Sequence, residues 1–249
     1  MIQCFSMKYA IISDVHSNVF ALRAALSEID KYKPDVILLL GDIVGNGFYP
    51  EETVSLVRKR KDIVCVKGNH DIFVCLDLDE FPKEDTRLKM FRWQQKVLSE
   101  ASKEFLSSLP RSVTYKDGKY EIVAFHYPMN KKGRFKDIIY MPNDNEVREL
   151  FSGLKGNVFL FGHEHTGSFT RLGDKYYLNF GTLGNFLEKD CARFGILDID
   201  GDKLAYKAIN AYYDDSVPRK KTEELNAILF GENNGNTEYD KSFKNQLTT

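Results

Sequence analysis

Long apolar runs, a secretory signal and a basic excess are all missing from this chain. Its longest unbroken apolar stretches, such as residues 36–40, are far shorter than the roughly 20 residues needed to cross a bilayer. The N-terminus has no basic segment followed by a long apolar one, the pattern of a secretory leader. With 35 basic and 36 acidic residues, the net charge of −1 disfavours stable binding to nucleic acid. These absences predict a cytoplasmic protein with no membrane partner.

Closely paired cysteines are missing as well. The four cysteines, at positions 4, 65, 75 and 191, include no two at C-x-x-C spacing. A zinc ribbon and a dithiol redox motif both need such pairs. With 249 residues, 43% of them hydrophobic, the chain can instead bury a substantial core. We expect a single domain over residues 7–231, followed by a disordered, Asn-rich tail at 232–249.

The order of the predicted elements indicates an α/β protein that ends in hairpins. Short apolar runs at residues 8–13, 36–40, 63–66, 121–125 and 158–161 are typical of buried strands. Helical spacing of apolar residues predicts helices over 19–29, 50–61, 86–109 and 145–154. The later segments 168–172, 176–180, 194–199 and 204–209 have the pattern of short strands joined partly by Gly-Asp turns. Strand–helix units therefore come first, and antiparallel hairpins follow.

Five of the predicted strands run directly into polar clusters. In an open α/β sheet, ligands bind outside the carboxyl ends of the strands. All five histidines of the chain lie in these clusters, so we expect the clusters to form one functional site. The clusters are Asp14-Val15-His16, Gly41-Asp42, Gly68-Asn69-His70-Asp71, His126 and Gly162-His163-Glu164-His165.

Imidazole and carboxylate groups in such numbers are typical of a transition-metal site. Together they suit Mn, Fe, Zn, Co or Ni, whereas Ca prefers oxygen ligands alone. Two Asp, one Asn and at least three His exceed the needs of one tetrahedral ion, so we expect two divalent ions bridged by one carboxylate. Such a pair can hold a phosphoryl group and lower the pKa of a bound water. The residues therefore favour metal-assisted hydrolysis of a phosphate ester.

Five motifs follow one another along the chain: D-x-H, G-D-x-x-G, G-N-H-D, a single His after a strand, and G-H-x-H. Together they resemble the motifs of the calcineurin-like metallophosphoesterase family, over residues 8 to about 210. The subgroup that the chain resembles is the small bacterial and archaeal phosphoesterases, whose further motifs appear here as GDIVGNG, a helix with Trp93 before Leu-Pro, and NFGTLGN. The resemblance implies a four-layer α/β/β/α sandwich of two mixed β-sheets flanked by helices.

The same resemblance implies a role for each polar residue that follows a strand. Manganese is the favoured metal. His70 would face the substrate and donate a proton to the leaving oxygen, or stabilise the charge of the transition state. One ion would be held by Asp14, His16, Asp42 and His165, and the other by Asp42, Asn69, His126 and His163, with Asp42 bridging.

Three further positions bear on specificity. Glu164 stands where the family usually has Thr between two ligands, which would affect ligand orientation and metal preference. Tyr127 follows the predicted ligand His126 where Gly is common, and would narrow the rim of the pocket. Asn18, four residues after Asp14, is a candidate for phosphate binding.

We expect a metal-dependent phosphoesterase that hydrolyses phosphodiester or nucleotide-type bonds in a small phosphorylated substrate. A dinucleoside polyphosphate hydrolase is one alternative, because a basic loop at residues 131–136 follows His126 closely. A non-catalytic scaffold of the same fold is another, although such scaffolds can lose the equivalent of His70, which this chain retains. The sequence leaves a homo-oligomer undecided.

Overall fold

Two mixed five-stranded β-sheets form the body of the computed structural model, which describes residues 7–83, 85–184 and 190–231. The first sheet contains β1 (Met7–Ile12), β2 (Val36–Leu39), β3 (Ile63–Cys65), β9 (Cys191–Asp200) and β10 (Lys203–Tyr212), in the order β10-β9-β1-β2-β3. The second contains β4 (Ser112–Asp117), β5 (Tyr120–Phe125), β6 (Val158–Leu160), β7 (Ser168–Leu172) and β8 (Lys175–Asn179), in the order β4-β5-β6-β8-β7. β1–β3 run parallel in the first sheet, and β5, β6 and β8 run parallel in the second.

Helices cover the outer face of each sheet. They are α1 (Val19–Tyr32), α2 (Pro50–Lys59), α3 (Asn69–Phe73), α4 (Lys89–Val97), α5 (Glu100–Ser108), α6 (Asp144–Leu150) and α7 (Ser216–Phe230). Residues of α1, α2, α4 and α5 pack on the first sheet, and those of α6 on the second. The four-layer α/β/β/α sandwich expected from the sequence is thereby confirmed. Among the described residues, no helix is both long and apolar enough to span a bilayer.

The strand β1 shows why the buried strands are apolar without alternation. Tyr9 and Ile11 point between the two sheets, where they join Leu160 of β6 in one core. Ala10 and Ile12 point the other way, into the core beneath the helices. Because both faces of β1 are covered, every position from 9 to 12 is buried, as its sequence predicts.

The single helix predicted over residues 86–109 is wrong: the chain forms a short 3-10 turn at Thr86–Leu88, then α4, then α5. Leu98 is extended, and the Ser99 hydroxyl accepts a hydrogen bond from the Ser102 N–H to begin α5. Glu51 of α2 accepts from both the N–H and the hydroxyl of Ser99, at 2.8 and 3.0 Å. Apolar residues at helical spacing on both sides concealed this break. The tail expected at 232–249 lies outside the described residues.

Candidate metal centre

The predicted site residues meet at one end of the sandwich, where parallel strands of both sheets end. The first sheet contributes the segments after β1, β2 and β3, and the second contributes those after β5 and β6. The two sheets therefore build the site together, whereas an open α/β fold would use one sheet edge. The side chains brought together are Asp14, His16, Asp42, Asn69, His70, His126, His163 and His165.

Asp14, His16 and His165 form the first group of converging ligand atoms. His165 Nε2 lies 3.1 Å from Asp14 Oδ1 and 3.0 Å from His16 Nε2. His16 Nε2 lies 3.8 Å from the same carboxylate oxygen. Atoms that share one ion through bonds of about 2.1 Å stand roughly 3–3.5 Å apart, and the two separations that involve His165 fall in this range.

The second group surrounds His126. Its Nε2 atom lies 2.9 Å from Asn69 Oδ1 and 3.1 Å from His163 Nδ1. Asp42 Oδ2 is 3.4 Å from the same nitrogen. Two imidazoles, an amide oxygen and a carboxylate therefore converge at a second point.

Asp42 lies between the two groups. Its Oδ1 atom accepts the backbone N–H of His70 at 2.9 Å. Its Oδ2 atom lies 3.4 Å from His126 Nε2 and 4.0 Å from His16 Nε2, so it reaches both groups. This buried oxygen has no hydrogen-bond partner among the described residues, although an unpartnered buried acceptor is costly. A shared cation would satisfy it, and the surrounding donor set fits divalent transition metals.

Backbone and hydroxyl groups orient the predicted ligands from behind. His126 Nδ1 lies 2.7 Å from the Leu40 carbonyl oxygen, the arrangement in which Nδ1–H donates and Nε2 keeps a free lone pair. Asp14 Oδ2 accepts from the Ser13 hydroxyl at 2.5 Å and from the His163 N–H at 3.0 Å. The other oxygen of Asp14 is thereby aimed at the first group.

Two glycines allow the segments to approach closely. A Cβ atom on Gly68 would overlap Asp42, lying 2.8 Å from its carboxyl carbon. A Cβ on Gly162 would lie 2.6 Å from Asp14 Oδ2 and would also overlap the Ser13 hydroxyl. The sequence analysis found these glycines beside the ligands, and the structure shows that close packing against the carboxylates requires them.

The charges of the site suit metal binding. Burial would raise the pKa values of Asp14 and Asp42, but the neighbouring imidazoles hold both well below the usual range. Burial and the adjacent histidines lower the pKa values of His16 and His163 to about 3. Burial would also lower the pKa of His126, but the carboxylate of Asp42 raises it to about 9. Near neutral pH the carboxylates are ionised and His16 and His163 are neutral, the states that metal ligation needs, whereas His126 must release a proton when a metal binds.

His70 lies beside both groups, and its ring forms a third cluster of possible ligand atoms with His16 and Asp42. Its Nε2 atom is 3.8 Å from Asp42 Oδ2. Its ring packs edge-on to His16, with centroids 4.8 Å apart, and against Phe91 of α4 at 5.3 Å. Burial lowers the pKa of His70, and the charge of Asp42 opposes that effect.

The remaining sequence candidates occupy buried positions. The side-chain oxygen of Asn18 accepts the Ala21 N–H at 3.0 Å, which begins α1, and its amide donates to the Tyr213 hydroxyl at 2.9 Å. Its phosphate contact stays a prediction. Tyr127 is buried behind the ring of His163, with centroids 5.1 Å apart.

Glu164, which stands between His163 and His165 in the sequence, is buried. Its carboxylate accepts from the Asn179 amide at 3.1 Å and from the Thr166 hydroxyl. Asn179 also accepts the Gly181 N–H through its side-chain oxygen, at 2.8 Å. Sequence reasoning did not single out Asn179, and its position directly after an apolar run in the NFGTLGN motif was the available signal.

Comparisons with known proteins identify relatives in sequence and in fold. A protein of Methanocaldococcus jannaschii, named as the uncharacterized protein MJ0912, is 34% identical over 160 residues, which are 63% of this chain and 61% of that protein. The chain thus spans about three fifths of the length of that relative.

Solved structures share the fold. The hypothetical protein PH1004 from Pyrococcus horikoshii OT3 superposes with a TM-score of 0.76 at 20% identity, over 92% of this chain and 100% of the other. A metallophosphoesterase from Sphaerobacter thermophilus gives a TM-score of 0.68 at 27% identity, over 88% and 94%. Residues 7–202 match the calcineurin-like phosphoesterase superfamily domain, and the chain therefore belongs to that superfamily.

Proposed function

We propose that the protein is a metal-dependent phosphoesterase that hydrolyses phosphodiester or nucleotide-type bonds through two divalent ions, with manganese favoured. The observation that carries this proposal is Asp42 Oδ2, which has no hydrogen-bond partner within the described part of the chain and lies within 4.0 Å of a ligand nitrogen in each group. One ion would be held by Asp14, His16, His165 and Asp42. The other would be held by Asp42, Asn69, His126 and His163.

The chemistry that bound metals supply is Lewis-acid activation of the phosphate ester and of a water. The residues of the chain then have separate tasks. The strand-end segments hold the ligands in fixed positions, and Leu40 and Ser13 orient His126 and Asp14 from outside. Because these groups are buried, bulk water would not compete with them for the ions.

His70 is the group we assign to the leaving oxygen. It sits beside Asp42 and packs against two rings, so its imidazole has a defined orientation. A protonated imidazole can donate a proton to the departing oxygen, and a neutral one still offers one N–H to the developing charge. Either form makes His70 a catalytic residue.

The dinucleoside polyphosphate alternative receives less support from its basic loop than the sequence analysis expected. Lys136 Nζ donates to the carbonyl oxygens of Glu149 and Leu150, at 3.2 and 2.6 Å. The positive charge of Lys136 therefore stabilises the C-terminal end of α6. The other three basic residues of the loop are exposed: Lys131, Lys132 and Arg134. Dinucleoside polyphosphates are therefore included among the substrates to be tested.

Metal analysis and a substrate panel test the proposal. We expect two ions per chain at saturation, and hydrolysis of nitrophenyl diesters or cyclic nucleotides that a chelator abolishes and manganese restores. Preferred cleavage of dinucleoside polyphosphates would establish the narrower activity. One ion per saturated chain would refute the dinuclear site. Full metal loading with no hydrolysis of any phosphate ester would support the scaffold alternative.

A further inference from the structure

The side chain of Gln94, in the middle of α4, is fully buried. Its amide forms hydrogen bonds to residues that lie outside α4. Its Oε1 atom accepts the Gly45 N–H at 3.0 Å. Its Nε2 group donates to the Gly47 carbonyl oxygen at 3.0 Å and to the Ser17 hydroxyl at 3.2 Å. A buried amide with its oxygen and both of its N–H groups engaged fixes the segments that it contacts.

The segment 45–47, to which Gln94 is hydrogen-bonded, is also the segment against which the ring of His70 packs. Gly45 has a left-handed backbone, with φ of +94°, and a Cβ atom there would overlap the imidazole, lying 2.6 Å from His70 Cγ. The backbone of Gly45 is therefore one wall of the space that the ring occupies.

The same face of α4 supplies another wall. Phe91 lies one helical turn before Gln94, so the two side chains project from the same side of the helix. The ring of Phe91 lies 5.3 Å from that of His70. Thus α4 contacts the imidazole directly through Phe91 and indirectly through Gln94 and Gly45.

We propose that Gln94 is a positioning residue for His70: it holds the Gly45 backbone in place and so keeps the imidazole aimed at Asp42 and the leaving oxygen. The inference rests on the proposed function, because it assigns His70 to catalysis. Loss of the three hydrogen bonds frees the 45–47 segment, and the imidazole gains room to rotate away from Asp42.

The chain offers a matched control in the next residue. Gln95 Nε2 donates to the carbonyl oxygens of Val74 and Leu76, at 3.0 and 2.7 Å. It is the same residue type on the same helix and also binds backbone of a distant segment. Its partners Val74 and Leu76 follow α3, and neither belongs to the 45–47 segment. The Val74 N–H donates to the His70 carbonyl oxygen at 3.1 Å, so Gln95 contacts the backbone side of His70 and not the wall beside its ring.

The experiment compares Gln94→Met with Gln95→Met, since Met keeps the length of Gln without its amide. We expect Gln94→Met to bind as much metal as the wild type, to keep KM, and to lose kcat by up to about 100-fold on an ester with a poor leaving group. The loss should be smaller with nitrophenolate as the leaving group. Gln95→Met should retain wild-type kcat on both substrates.

A double-mutant cycle separates positioning from general stability. In a His70→Ala background, the additional change Gln94→Met should cost no further kcat, because there is no imidazole left to position. An equal loss in both backgrounds would overturn the proposal, as would equal kcat values for Gln94→Met and Gln95→Met. Gln94→Glu keeps the oxygen that accepts from Gly45 but removes the amide that donates to Gly47 and Ser17. It goes through the same cycle and replaces Gln94→Met if that variant does not fold.

A measurement on the metal-free protein is independent of activity. The chain has five histidines, so their ring nitrogen signals can be resolved by NMR, and the signal missing in His70→Ala identifies His70. Gln94→Met should shift or broaden that signal, and Gln95→Met should not. An unchanged His70 signal in Gln94→Met would overturn the inference. A wild-type protein inactive on every ester would refute the proposed function, and the NMR comparison would still decide how His70 is positioned.

Discussion

Asp42→Asn is the substitution that most directly tests the two-ion site. Asn has nearly the same shape, so its side-chain oxygen can still accept the His70 N–H that Oδ1 now accepts at 2.9 Å. What changes is Oδ2, which becomes a neutral amide nitrogen between the two groups of ligands. Because this one atom lies within reach of His16 on one side and His126 on the other, the affinity for both ions should fall together.

The expected magnitude follows from binding linkage. Metal at 100 times its dissociation constant stabilises the wild type by about 2.7 kcal/mol per site. For a chain of this size each kcal/mol raises Tm by about 2–4 °C, so each site should contribute roughly 5–10 °C. Loss of a group that hydrogen-bonds to a metal ligand costs about 10–100-fold in metal affinity, and loss of a bridging ligand should cost at least about 100-fold. The same metal concentration would then add only about 0.4 kcal/mol per site to the variant.

The assay is thermal unfolding with and without manganese, paired with metal analysis. Asp198→Asn is the control, because Asp198 is a partly exposed carboxylate 3.6 Å from Lys8, and it pairs with the start of β1 whereas the ligands follow the end of that strand. An exposed pair of this kind contributes little, so Asp198→Asn should show the full metal-dependent rise in Tm. If Asp42→Asn kept two ions and the full rise, Asp42 would not bridge, and the proposed site would be wrong.

Three other substitutions test the site and the fold. Gly68→Ala should lower both Tm and metal content, because its methyl group would overlap Asp42. His70→Ala should keep both ions but lower turnover by ~10²–10⁴-fold on a poor leaving group and by less on nitrophenolate, as measured by initial rates. Equal losses on both substrates would indicate charge stabilisation rather than proton donation. Leu160→Ala, buried between the sheets, should lower the free energy of unfolding by about 2–5 kcal/mol in urea titrations, without changing metal stoichiometry.

The strand ends were predictable because they depend on local patterns. A buried strand must be apolar on both faces, so the change from Ile12 to Asp14 marks its end in the sequence. The histidines follow these ends and nowhere else, which is why the candidate ligands could be selected before their distances were available. Their grouping came from family resemblance, since spacing along the chain says nothing about which loops of two different sheets meet.

Contacts between distant segments could not be predicted in this way. Ser99 interrupts an apolar helical pattern because Glu51 binds it from another helix. Gln94 has the spacing of an ordinary core position, and only the structure shows its bonds to Gly45 and Ser17. Asn18 was a candidate for phosphate binding because of its distance from Asp14, and only the structure shows that its side chain also begins α1.

The backbone of the site indicates that the fold, rather than local preference, holds the ligands. A left-handed conformation outside glycine is sparsely populated and costs of order 1–3 kcal/mol at each position. Backbone hydrogen bonds beyond the sheet maintain this conformation. The Asp14 N–H donates to the backbone carbonyl oxygen of Gly41 at 3.0 Å, and the His16 N–H donates to that of Asp42, also at 3.0 Å. The segments after β1 and β2 therefore continue the pairing of their strands and carry the ligands with them. Five of the seven predicted ligands share this conformation, with φ between 49° and 71°: Asp14, His16, Asp42, His163 and His165. The conformational cost of these five positions is therefore met by the packing and hydrogen bonding of the whole fold, which explains why the ligand positions cannot be derived from local sequence preference.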